Sequence, residues 1–239
     1  MLDREVISRR NLPHWYVPGA AHFVTYRLFG TIPTGLLRRW RDDRNKSNSA
    51  TLRLGETSVQ RLARAHKQFF AKYDSFLDAA TTGAQFLSDD RVAAMVRENL
   101  YHHHGTMYHL IAYCIMSNHV HVLLQPIGTL PPLLEEEDEI PSDDVADSRG
   151  TLTAIMHSLK SYAAHGANRI LEKRGAFWQR ESYDHWVRDD DELERIVNYI
   201  ARNPVTAGLC AEPRQWRYSS AYDRYELDSS ESAVLWWPS

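Results

Sequence analysis

Apolar positions along the chain switch between the period of a strand and the period of a helix. Ala21 to Phe29 (AHFVTYRLF) is rich in β-branched and aromatic residues and predicts a strand, which Gly30 and Pro33 end. Leu36 to Trp40 begins a helix, and the polar stretch Arg41 to Ser49 reads as a turn. From Ser58 to Leu77, Leu62, Ala65, Phe69, Phe70 and Tyr73 recur at helical spacing, and Thr81-Thr82-Gly83 interrupts them. Ser88 suits an N-cap for a helix to about Tyr101, with Asp89 and Asp90 in a first turn whose dipole favours acids. Residues 1–20, with Pro13, Pro18 and Gly19, read as an arm.

Tyr108 to Gln125 (YHLIAYCIMSNHVHVLLQ) holds two β-rich runs on either side of Ser117-Asn118, which is the pattern of a hairpin. Strand side chains two residues apart share a face. His119 and His121 therefore converge on one spot, and Val120, Val122 and Leu124 take the other face. Two imidazoles so placed can be buried structural groups or two ligands of one metal. The pair alone does not decide between them.

Downstream, Gly128 to Gly150 breaks the pattern with three prolines and a run of acids, and reads as a solvated insert. Leu152, Ile155, Leu159, Ala163 and Ile170 restore helical spacing until Gly175. Phe177 to Val187 reads as a strand or extended edge. Asp189 or Asp190 then caps a helix whose stripe is Leu193, Ile196, Val197 and Ile200, and Pro204 is expected to stop it. The whole predicts an α+β fold around an antiparallel sheet of about four to five strands with packed helices, one domain over 1–225 and a tail over 226–239.

Composition narrows the class. The chain has 239 residues, 43% hydrophobic and 25% charged, so a core of ordinary size needs no disulfide staples. Two cysteines, Cys114 and Cys210, fit a reducing compartment. The N-terminus lacks an apolar signal core, and no run approaches the ~18 apolar residues of a membrane span. A cytoplasmic protein is the expectation. The net charge of −3 hides an asymmetry, because eight acids lie between Glu135 and Asp147, and without them the balance is +5. A basic body suits a polyanionic ligand.

Tyr199 and Asn203 stand i,i+4 on the last of these helices, about 40° apart at the edge of its apolar stripe. Asn203 could lend a carbonyl oxygen as a third metal ligand, with the Tyr199 phenol one turn away. A phenol near pKa 10 is a poor nucleophile at neutral pH. A divalent ion on two imidazoles and an amide would polarise a phosphate toward it. Mixed nitrogen and oxygen ligands permit Mg²⁺ or Mn²⁺, although imidazoles alone favour Zn²⁺ or Cu²⁺.

CIMSNHVHVLLQP, IMHSLKSYAAHGANRIL, FWQRESYDHWVRDDDELERIVNYIARNPVTAGL and WRYSSA resemble the REP-associated tyrosine transposases, members of the HUH single-tyrosine group. The likeness spans about Pro13 to Tyr222, is sparse over 30–85, and is absent from the acidic insert and the tail. It implies a ferredoxin-like or RRM-like sheet, His119 and His121 as the metal pair, Asn203 as third ligand and Tyr199 as the nucleophile. The implied reaction cleaves single-stranded DNA near imperfect hairpins, leaving a 5′-phosphotyrosine and a free 3′-OH, in a nucleoid-associated monomer or homodimer. Lys160, Arg180 and Arg188 could track phosphates and Trp186 could stack on bases, against the simpler roles of solvated surface and core. The rival readings are a hairpin-binding protein that does not cut and a hydrolase of small phosphoesters.

The acidic insert is either a tolerated loop or a phosphate mimic covering the DNA cleft. Deleting 132–149 is expected to raise hairpin affinity most at low salt. Unchanged affinity and cleavage across salt concentrations would leave only the tolerated loop.

Overall fold

The computed structural model describes residues 6–9, 13–17, 19–49, 57–79, 83–127 and 152–229. The acidic insert and the Leu235-Trp236-Trp237 tail lie outside them. A short antiparallel pair, β1 (Val6–Arg9) and β2 (Pro13–Tyr16), occupies what the sequence suggested was a plain arm. The main sheet is formed by β3 (His22–Arg27), β4 (Tyr108–Ile115), β5 (His119–Pro126) and β6 (Tyr183–Trp186). Their order is β4-β5-β3-β6 and every neighbouring pair is antiparallel. With helices crossing between β3 and β4 and between β5 and β6, this is the ferredoxin-like arrangement.

Six helices accompany the sheet among the described residues: α1 (Thr34–Ser49), α2 (Ser58–Ala79), α3 (Asp90–His102), α4 (Leu152–Ile170), α5 (Asp190–Thr206) and α6 (Ser220–Ser229). Strand parity sorts the core into two layers. Val24, Tyr26, Val120, Val122 and Leu124 pack with Val92, Val96 and Leu100 of α3 and Ile155 and Leu159 of α4. Phe23, Leu123 and Cys114 face the other way, toward Phe69, Tyr73 and Leu77 of α2 and Ile200 of α5. A register shift between Leu110 and Ala112 of β4 keeps the parity of the hairpin aligned with both layers.

Several boundaries differ from the sequence reading. The polar stretch 41–49 is helical, because Trp40 packs on Phe76 at 5.6 Å and Arg44 lies over the Phe69 ring at 5.2 Å, both anchoring α1 on α2. Ser88 lies in a 3-10 turn, and Asp89 caps α3 by accepting from the Arg91 backbone N–H. Pro204 does not end α5. It sits two residues before the helix ends, so the bond its position would donate to the Ile200 carbonyl is lost, while the Ala207 and Leu209 N–H groups still reach the Asn203 and Pro204 carbonyls. At the other end, Asp189 caps α5 through the Glu192 N–H, as expected.

The edge of β4 is covered by the chain entering α6. Ile115 donates its N–H to the Tyr218 carbonyl, and the Trp216 indole donates to the Ile115 carbonyl. Asp223, 5% exposed, then accepts from the Arg97 guanidinium at 2.5 Å and from the Tyr101 and Tyr113 hydroxyls. Among the described residues no helix is long and apolar enough to cross a membrane. Asp223→Ala leaves the Tyr113 hydroxyl and the inner edge of Arg97 without their acceptor. It is expected to cost on the order of 3 kcal/mol, read as a lower urea midpoint at unchanged slope.

Candidate metal and tyrosine site

The second core layer carries the polar cluster. His119 and His121 lie on β5, in the middle of the sheet, and are fully buried. Their Nε2 atoms approach to 3.0 Å, so the two imidazoles do converge. Each ring is held from behind. His119 Nδ1 meets Asn118 Oδ1 at 2.6 Å, and the Asn118 amide nitrogen donates to the Leu77 carbonyl, which leaves Oδ1 as an acceptor. Nδ1 of His119 therefore carries the proton, and Nε2 turns its lone pair inward. His121 Nδ1 is 2.8 Å from Thr25 Oγ1. Such partners orient imidazoles for an electrophile. Burial, with His121 adding to it, holds His119 well below its usual proton affinity, so it is neutral at neutral pH.

α5 brings the other two predicted residues to the same spot. Tyr199 stacks edge-on against His121, with ring centroids 5.5 Å apart, and Phe23 and Phe70 wall its other sides at 5.9 and 6.0 Å. Asn203 is 2% exposed. The tyrosine reaches the histidines of its own chain.

The sequence reading missed what α2 adds. Asp74 and Asp78, one helical turn apart, point into the cluster. The Tyr199 hydroxyl donates to Asp74 Oδ2, and Asp74 Oδ1 lies 3.3 Å from His121 Nε2. Asp78 Oδ1 lies 3.8 Å from His119 Nε2, and Asp78 Oδ2 accepts from the Asn203 amide at 3.3 Å. Each of the four predicted residues thus meets a carboxylate. A signal was available in the chain: two acids spaced i,i+4 flank Tyr73 and Leu77 in an apolar stripe, where unpaired acids are rare.

The donor set fits a divalent cation. Ligand atoms of Asp74, His119 and His121 lie within 4.8 Å of one another. Asp74 Oδ1, Asp78 Oδ1 and Asn203 Oδ1 are buried with no hydrogen-bond donor among the described residues. Buried acceptors left in that state cost about 1–3 kcal/mol each. Lone pairs on inward nitrogens and orphaned oxygens at one point ask for positive charge. The oxygens make the set harder than two imidazoles alone.

Electrostatics keep the tyrosine protonated meanwhile. Burial, then Asp74 and its hydrogen bond, then Asp78 push the Tyr199 phenol far above its ordinary value. Burial works to raise Asp74 as well, but His121, His119 and the Tyr199 hydroxyl outweigh it and hold that carboxyl below its usual range.

The remaining predicted residues lie elsewhere. Lys160 of α4 donates its ammonium to the Gln179 and Arg180 carbonyls at 2.6 and 2.8 Å and to Ser182 Oγ at 3.3 Å, so it ties down the segment before β6. Arg180 is exposed. Arg188 lies beside Glu192 at 3.9 Å, and Trp186 is half-buried on the edge strand, its indole N–H without an acceptor. Among the described residues, His102, His103 and His104 join no cluster of metal-ligating side chains; His103 meets Ser158 Oγ at 3.1 Å and His104 accepts from the Leu110 N–H.

No protein-family model matches the chain. It is similar to a Haemophilus influenzae protein named "Putative REP-associated tyrosine transposase", 29% identical over 113 residues, covering 47% of this chain and 58% of that one. A second H. influenzae protein, named only as uncharacterized, is 24% identical over 98 residues, covering 39% and 52%. The chain thus spans a little over half the length of the curated relatives it matches. Among solved structures, a REP-associated tyrosine transposase bound to a REP hairpin superposes with a TM-score of 0.48 at 13% identity, covering 97% of this chain and 90% of that one.

Asp78 offers a clean measurement. Burial first, and Asp74 second, push its carboxyl up to about 6. An unfolded aspartate titrates near pH 3.9, so the folded chain binds this proton more tightly, and ionised Asp78 costs stability above about pH 6. In EDTA, Asp78→Asn is expected to raise Tm over wild type near neutral pH, with the difference fading toward about pH 4.

Proposed function

We propose that the protein is a metal-dependent single-stranded DNA endonuclease and strand transferase, a tyrosine transposase that cleaves at or near DNA hairpins. The observation that carries this reading is the Tyr199 hydroxyl hydrogen-bonded to Asp74, beside the His119–His121 pair. The name of the 29% identical relative points the same way. A small-phosphoester hydrolase or a hairpin binder has no need of a phenol held against a carboxylate within this ligand set.

In this reading His119, His121, Asn203 and Asp74 hold the divalent ion, which when bound supplies Lewis-acid polarisation of the phosphodiester. α2 closes over the histidines, so a strand enters as that helix parts from β5, and the site re-forms around the bound phosphate. Phe23 and Phe70 keep the phenol ring aimed at the centre. Asp74 Oδ2 takes the phenolic proton as the Tyr199 oxygen bonds to phosphorus. The bond between phosphorus and the 3′ oxygen breaks, that oxygen is protonated, and the strand is left as a 5′-phosphotyrosine and a free 3′-OH. The reverse attack by a 3′-OH rejoins DNA and returns the proton to Tyr199. The high proton affinity of the phenol keeps it inert until cation and substrate are both in place.

Labelled hairpin oligonucleotide with Mn²⁺ or Mg²⁺ is expected to give a protein–DNA adduct that survives denaturation. Tyr199→Phe should abolish the adduct and keep binding. Asp74→Asn should slow adduct formation by about 10²-fold or more, the range of a lost general base. Cleavage persisting in Tyr199→Phe would point to the hydrolase, and tight binding with no adduct from wild type would point to the hairpin binder.

A further inference from the structure

Arg27 is the buried cation that this chemistry leaves unexplained. It ends β3 opposite His119 in the β3–β5 register, on the same sheet face as Phe23 and Thr25. Directly opposed strand residues hold their Cβ atoms about 5 Å apart. Along this face the cross-strand pairs step from Phe23–Leu123, where Tyr199 packs, through Thr25–His121 to Arg27–His119.

Its surroundings are unusual for a guanidinium. Arg27 is 2% exposed, yet no carboxylate of the described residues pairs with it. Nη1 donates to Thr31 Oγ1 at 3.0 Å and, at 3.5 Å, to the Leu28 carbonyl. These are neutral acceptors, and burying a guanidinium against them alone leaves a desolvation cost of several kcal/mol per ion unanswered. The Tyr73 ring of α2 lies alongside, with the guanidinium carbon 5.9 Å from its centroid. Its hydroxyl is buried and, among the described residues, has only the Arg27 guanidinium to engage it. Burial pushes that phenol up to about 12, with Arg27 opposing, so it keeps its proton and can donate. The ammonium of Lys160 is close enough to feel Arg27 as a like charge; burial first and that charge second lower it to about 8, with Glu181 opposing. Glu181 is thus the nearby carboxylate, and its charge reaches Lys160 and Tyr73. The Arg27 guanidinium itself, across from His119, is left with neutral acceptors.

We propose that Arg27, with the Tyr73 hydroxyl, forms a phosphate subsite that holds a non-bridging oxygen of the substrate strand's phosphodiester backbone next to the metal centre. The assignment rests on the single-strand nuclease reading above and adds the group that grips the DNA. It also gives the site a polarity, with carboxylates and cation around Tyr199 and Asn203, and positive protein charge beyond His119.

The test reads binding apart from cleavage, using full-length Tyr199→Phe protein and a labelled hairpin oligonucleotide across a salt series. Adding Arg27→Gln is expected to weaken binding about tenfold, the scale of a lost charge-assisted hydrogen bond. It should also lower the slope of log affinity against log salt by about one, the signature of one lost phosphate contact. Arg27→Lys should restore the slope and only part of the affinity, because a point charge replaces a fork. An unchanged slope in Arg27→Gln would overturn the subsite, whether or not affinity and Tm fall, since a purely structural arginine releases no counterion. Should Arg27→Gln fail to fold, inorganic phosphate titrated into the Tyr199→Phe protein must shift the Arg27 Nε–H resonance, assigned from Arg27→Lys. No shift would also overturn it. If wild type forms no adduct while the Arg27-dependent slope persists, it is the cleavage reading that fails.

Discussion

Two carboxylates and two imidazoles are buried together between β5 and α2, and much of the molecule is arranged to make that tolerable. Taking an ion out of water costs several kcal/mol even after relaxation, so acids are placed there only against compensating partners. Here the partners are incomplete. Asp74 has the Tyr199 hydroxyl and Asp78 has the Asn203 amide, but each keeps a buried oxygen with no donor among the described residues. The rings behind are satisfied at Nδ1 and turn Nε2 inward. A core built for stability alone would fill this space with apolar side chains. The packing around the cluster does so: Phe23, Phe70 and Tyr183 interlock around Tyr199, with Phe70 and Tyr183 stacked at 4.4 Å.

Under the proposed reaction, that arrangement would make the tyrosine a conditional nucleophile. With only carboxylates for company its phenol holds its proton far more firmly than in water, and bringing a cation to Asp74 and His121 reverses the sign of the local field. The buried positive charge of Arg27 is separated from the acids by the histidines rather than neutralising them. A phosphodiester spanning from the proposed ion to Arg27 would meet opposite charge at both ends. Lys160, a natural candidate for phosphate from its sequence, instead spends its donors tying down the segment leading to β6.

The periphery protects this centre. The chain from Trp216 to Ser220 seals the β4 edge, and Asp223 ties α6 to Arg97 and Tyr113, so the β4–β5 hairpin is braced from the side opposite β3. The bulge in β4 places Cys114, rather than a first-layer side chain, opposite His121. These features are not legible as function in the sequence, yet they hold the rings in register.

How much could be read from the chain follows from where the information lies. Period-two alternation in HVHVLL determined the hairpin face, because strand parity admits no other arrangement once Val120, Val122 and Leu124 must be buried. Spacing of four residues determined that Tyr199 and Asn203 share a helix edge. Both are local rules with a range of a few residues. The helical state of 41–49 and the continuation of α5 through Pro204 went against local preference, since a tryptophan anchor and a last-turn position outweigh propensity. Asp74, Asp78 and Arg27 were the larger omission. As letters they are ordinary charged residues, and in a helix or at a strand end a solvated position is their default. Only the tertiary structure, by laying α2 over β5 and setting Arg27 across from His119, removes their water and gives each charge a reason to be there.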